Sequence, residues 1–161
     1  MQCGPIRYRV DAKAQASTRP FSHSVFVRPT SFVPIQAADP DARLQFQTLY
    51  SEVMTDDRRN QQIVEDVIAC VREGRFPIVL TERKEHLERL AAQLIDKVKH
   101  LILLCGGMGK KQLRATIQQL QAIPENEPRV LLATGKYIGE GFDDARLDTL
   151  FLTLPVSWRG T

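Results

Sequence analysis

The sequence predicts an α/β fold, a doubly wound and mostly parallel sheet with helices on both faces. Three observations carry that expectation. Short apolar runs recur at residues 76–80, 101–104, 130–133 and 149–152, interrupted only by Pro77 and Thr149. Strands buried on both faces read this way, whereas half-exposed strands alternate. Amphipathic stretches at helical spacing separate the first three runs: Leu87, Leu90, Ala91, Leu94 and Ile95, then Leu113, Ile117 and Leu120. Finally, polar or glycine-bearing turns follow the runs, with Thr81-Glu82-Arg83, Gly106-Gly107-Met108-Gly109 and a turn holding Thr134, Gly139, Gly141 and Asp143. Doubly wound sheets hold ligands at such strand ends.

In chain order, residues 1–22 have no apolar period and carry Arg7, Arg9, Lys13 and Arg19. They read as a linker or basic arm with a short strand around Ile6, ahead of one domain over 23–161. Val25, Phe26 and Val27 predict a short strand stopped by Pro29. Asp39-Pro40 predicts a helix start, with Asp39 as N-cap and Pro40 at the first helical position. Phe46, Leu49, Tyr50, Val53 and Met54 make one face of that helix. A further helix over 58–72 carries Ile63, Val64, Val67, Ile68 and Val71 and ends at Gly74, a C-terminal cap. The two helices form either a hairpin or one bent helix. Pro77 is tolerable at the beginning of the first strand–helix unit, and Pro124 lies just past the last helix.

Composition sets outer limits. The chain has 161 residues, of which 43% are hydrophobic and 25% charged, which is ordinary for a globular domain. A formal charge of +3 is compatible with nucleic acid, though binding needs clustered charge rather than a total. No apolar run approaches the roughly 20 residues of a membrane span, and the start lacks a signal-peptide core. Cys3, Cys70 and Cys105 form no CxxC pair. With His23, His86 and His100 they show no zinc-site spacing, so no metal site is expected. They read as free thiols of a cytoplasmic protein.

The segment from Gly106 to Lys111 invites comparison with a phosphate-binding loop and fails it. Leu104 stands where the first glycine belongs, and Lys111 replaces the magnesium-binding hydroxyl. It reads either as a tight turn or as helix N-terminal amides that grip a nucleic-acid phosphate, with Gly106, Gly107, Lys110 and Lys111 involved. Thr81 reads as an N-cap or as a strand-end ligand residue.

The segment TGKYIGEGFDD, from Thr134, resembles motif V of superfamily 2 helicases and translocases of the DEAD/DEAH type. PIVLTERKEHLERL, from Pro77, resembles their motif IV, and CGPIRYRV more weakly resembles the segment joining their two motor domains. The resemblance implies a RecA-like (P-loop NTPase type) fold and the second motor domain of an ATP-dependent motor, cut before motif VI. It implies that Gly141 and Asp143 meet the nucleotide. It also implies that Thr81, Glu82, Arg83, Gly106, Gly107, Lys110 and Thr134 hold a DNA or RNA backbone. ATP and magnesium would be held mainly by a missing first RecA-like domain in cis, and this chain alone is expected to hydrolyse nothing. The Thr-to-Gly spacing is one residue longer than in the common DEAD-box version, so either Thr134 or Gly135 takes the place of that threonine. Two rivals remain: a stand-alone nucleic-acid or protein interaction module with a degenerate RecA-like fold, and a small-molecule enzyme of doubly wound fold. The latter needs a convergent acid–base pair that the sequence does not display.

Overall fold

The computed structural model describes residues 24–35, 42–135 and 144–154. The arm over 1–22 with its strand around Ile6, and the Asp39-Pro40 helix start, lie outside them. The elements are α1 (Ala42–Thr55), α2 (Asp57–Arg72), β1 (Pro77–Thr81), α3 (Lys84–Leu94), β2 (Leu101–Leu104), α4 (Lys110–Ala122), β3 (Val130–Thr134) and β4 (Thr149–Leu152). Among the described residues the four strands form one all-parallel sheet in the order β2-β3-β1-β4.

The connections explain the layering. Passing from β1 to β2 moves the chain one way across the sheet, and passing from β2 to β3 moves it back. Right-handed crossovers therefore put α3 and α4 on opposite faces. The packing agrees. Val79, Val130 and Leu132 point to the face where Val64 and Val67 of α2 meet Leu87, Leu90 and Leu94 of α3. Their neighbours Ile78, Leu80, Leu131 and Ala133 point the other way, with Leu120 and Ile123 at the end of α4. This period-two division places buried side chains on both sides of β1 and β3, and every position of both is buried. Each fully buried leucine contributes about 2 kcal/mol of apolar burial.

The helix pair before the sheet is broken, not bent. Asp56 has extended backbone, and its carboxylate accepts the Arg59 N–H at 2.8 Å, capping α2. At the far end Arg75 N–H reaches Cys70 O and Gly74 N–H reaches Val71 O, with Gly74 at φ 77°. That is a Schellman termination, which favours glycine at this position.

Four expectations are corrected. Val25, Phe26 and Val27 are no strand: they are 80–90% exposed and join no ladder. The segment is instead tied to the helices by polar contacts, Arg28 to Asp66 at 2.7 Å and Gln62 to Pro29 O at 3.0 Å. A β-branched run needs a free sheet edge, and none reaches it. On α1 the apolar face is only partly covered, with Phe46 exposed and Leu49 on the margin, because α2 is its main neighbour. Ile95 is exposed because α3 ends one residue earlier. At β4, Phe151 packs on the α2–α3 side, but Leu150 and Leu152 are 55% and 63% exposed. No described helix covers that face of the edge strand.

Candidate functional site

The turns after β1, β2 and β3 leave the sheet at one end. Thr81 and Thr134 are register partners at the carboxyl ends of β1 and β3. Leu104 pairs with Ala133, so the turn after β2 emerges beside them. There Gly106 N–H donates to Thr134 Oγ1 at 3.1 Å, joining two segments that are 28 residues apart. Gly107 has φ 91°, a conformation that side chains other than hydrogen strain to adopt. Met108 Sδ accepts the Cys105 N–H at 3.4 Å, closing the turn. Gly109 then caps α4 without any side-chain hydrogen bond. The first turn of α4 thus keeps amide N–H groups for an outside acceptor, with exposed Lys110 and Lys111 beside them.

Thr81 takes a different part from the one expected. It belongs to β1, and Arg83 occupies the N-cap of α3. The Thr81 side chain is fully buried, and its Oγ1 lies 2.9 Å from His86 Nδ1. His86 Nε2 lies 2.8 Å from Asn60 Oδ1, while Asn60 Nδ2 donates to Met54 O at 2.9 Å. The last contact fixes the direction of the chain. Asn60 must accept from His86 Nε2–H, so Nδ1 is bare and accepts the Thr81 hydroxyl proton. Burial, then the charges of Arg59 and Arg89, push the His86 pKa down to about 4, which keeps the ring neutral. The Thr81 hydroxyl is therefore committed inward and presents nothing to a ligand. Its role is to hold the rim in place.

Glu82 and Arg83 do face outward. The Glu82 carboxylate lies over Gly135, where a Cβ would stand 2.8 Å from its Oε1. Arg83 sits 6.0 Å above the Tyr50 ring centroid. Behind the rim, Thr153 hydroxyl and N–H both donate to Leu80 O, and Arg59 Nη2 donates to Thr153 O. These tie the end of β4 to β1 and α2. No pattern in the sequence pointed directly to Asn60, Arg59 or Thr153. For His86 the signal existed, since it lies four residues before Leu90 on the buried stripe of α3.

The opposite end of the sheet holds a different arrangement. Arg129, just before β3, is 1% exposed, and its Nε and both Nη atoms have no hydrogen-bond partner among the described residues. Its guanidinium lies 4.9 Å from the Phe76 ring centroid. Burial lowers its pKa, and the nearby Arg146 charge adds to that, while Asp144 and Glu125 oppose it. Arg146 itself pairs with Asp144 at 2.7 Å. Burial works to raise the Asp144 pKa, but the hydrogen bonds and charge of Arg146 outweigh it and hold the carboxyl below its usual range.

Gly141 and Asp143, expected at a nucleotide, lie outside the described residues. The described residues do not fit a triphosphate with its magnesium. The turn after β2 offers Lys111 where a metal-binding hydroxyl is needed, and no three His, Cys, Asp or Glu side chains converge among them. Cys70 and Cys105 are free thiols, and burial raises the Cys70 pKa. No described helix is long and apolar enough to cross a membrane. No family model and no curated protein sequence matches the chain.

Proposed function

We propose that the chain is the second RecA-like domain of a superfamily 2 helicase or translocase, and that its strand-end rim holds a nucleic-acid backbone. The observation that supports this most is the Gly106 N–H to Thr134 Oγ1 bond, which joins the turn after β2 to the motif V-like segment. At the same end of the sheet lie a helix N-terminus, two exposed lysines and exposed Arg83. That set suits phosphates and carries no base-reading element, as a motor moving along any sequence requires. Of the expected contacts, Gly106, Gly107, Lys110, Glu82 and Arg83 are exposed at this end of the sheet, while Thr134 and Thr81 are buried beneath it. ATP enters the proposal only through a first motor domain and through Gly141 and Asp143.

The test is a titration of the protein with labelled single strands over a salt series. Binding should weaken steeply with salt and ignore base sequence. Salt-independent binding or a strong sequence preference contradicts the reading. That outcome would favour an interaction module, which the exposed Val25, Phe26, Val27, Val33 and Ile35 make the second candidate.

A further inference from the structure

We infer that the outer edge of β4 is a docking site for an extended strand, and that its occupant is the Val25-Phe26-Val27 run of a second copy of this chain. β4 is the last strand of the sheet and pairs only with β1 among the described residues. Asp148 N–H donates to Phe76 O, and amide directions alternate along a strand, so the N–H groups of Thr149 and Phe151 point away from β1. The edge is also held ready. Arg59 Nη2 donates to Thr153 O, and Thr153 N–H and hydroxyl donate to Leu80 O, which fixes the end of β4. Protected edges carry lysine, proline or a bulge, whereas β4 is Thr-Leu-Phe-Leu with Leu150 and Leu152 more than half exposed. The opposite edge is no rival: Ile102 and Leu104 of β2 are buried, and Leu101 and Leu103 partly so.

The same chain carries a strand-forming run without an edge. Val25, Phe26 and Val27 are β-branched or aromatic, 80–90% exposed, and join no ladder. Just after them, Arg28 is clamped to Asp66 by two bonds of 2.7 Å, and Pro29 O accepts from Gln62 at 3.0 Å. The run is thus anchored beside α2 instead of in its own sheet. Side-chain alternation fits the two pieces together. Phe151 points to the α2–α3 side, and Leu150 and Leu152 to the other. With Phe26 set opposite Phe151, Val25 and Val27 fall beside the two leucines, whichever way the added strand runs. Two such joints related by a twofold axis close the assembly at a dimer, each copy giving one run and one edge. Together they cover Val25, Phe26, Val27, Leu150 and Leu152 of both copies, on the order of 1,000 Å², close to the lower size of a stable interface. Main-chain hydrogen bonds along the edge add to that. The joint does not depend on the strand-end rim.

Sedimentation velocity of the full chain over a micromolar concentration series tests this, together with hydrogen exchange of the β4 amides. The mass should rise from monomer to dimer, and the Thr149 and Phe151 amides should slow in exchange as the dimer forms. Val25→Lys/Val27→Lys and Leu150→Lys/Leu152→Lys each put unpaired charge into the joints and should raise the dissociation constant by about ten-fold or more. All four positions are exposed, so circular dichroism should match wild type. Should a variant unfold, the concentration dependence of wild-type exchange decides alone. A monomer at every concentration overturns the inference, as does a dimer that both variants leave intact. Slow exchange at Thr149 and Phe151 in a monomer assigns the edge to a segment of the same chain and overturns it equally.

Discussion

The two ends of this sheet bury polar groups under opposite terms. At the carboxyl end, Thr81, His86 and Asn60 form a neutral chain that runs from the Thr81 hydroxyl through the ring and the amide to Met54 O. At the amino end, Arg129 is a buried cation with a ring beneath it and no hydrogen-bond acceptor among the described residues. A satisfied neutral chain specifies structure, because deleting one member orphans the next. A lone guanidinium specifies little, and its desolvation works against the fold. The rim that carries the proposed site is thus the end whose geometry is fixed by partners.

Titration of His86 offers the largest effect. Its pKa falls from 6.5 to about 4 on folding, so the folded state favours the neutral ring. The unfolded chain binds the proton first as pH drops. The stabilisation is therefore complete above about pH 6.5, declines as pH falls, and is gone below about pH 4, a total of roughly 3 kcal/mol. Urea unfolding at pH 7 and pH 4.5 should show this loss, and His86→Gln should remove most of the difference. An equal pH slope in both proteins would show that the chain is not the neutral, closed unit described. Next in size is Asn60→Ala, which strands His86 Nε2–H in the interior and should cost about 2 kcal/mol.

Arg129→Met sharpens the contrast from the other end. It removes a buried charge while keeping apolar volume against Phe76, and chemical denaturation should find it neutral or about 1 kcal/mol more stable. A loss as large as that of Asn60→Ala would mean that Arg129 has a partner worth as much as the neutral chain. The smallest effect belongs to Arg28→Ala. Its pair with Asp66 is exposed, and its removal should leave the urea midpoint indistinguishable from that of wild type.

Sequence and structure agree where burial is two-sided. β1 and β3 were legible because a strand covered on both faces must be apolar at every position. The end of α2 was legible because only glycine takes the backbone at residue 74 without strain. The disagreements share a cause. Apolar periodicity tells which face of α1 seeks cover, but not whether anything covers it. The Val25-Phe26-Val27 run has strand propensity, but propensity does not supply a pairing edge. Within the site, the meeting of Gly106 and Thr134 followed from parallel topology alone. The inward turn of Thr81 was readable in principle, since it lies two residues after Val79 and so shares the face covered by α2 and α3. Asn60 was out of reach because its partner, His86, is 26 residues away.

The most direct test of the proposed backbone-binding rim is the salt slope of single-strand binding, with Lys110→Ala/Lys111→Ala set against wild type. Each lysine that neutralises a phosphate contributes about 0.7 to the slope of log affinity against log salt on single strands. The double variant should weaken binding to all sequences alike and reduce the slope by about 1.4. An unchanged slope, with the fold intact by circular dichroism, would place the nucleic acid elsewhere or nowhere on this protein.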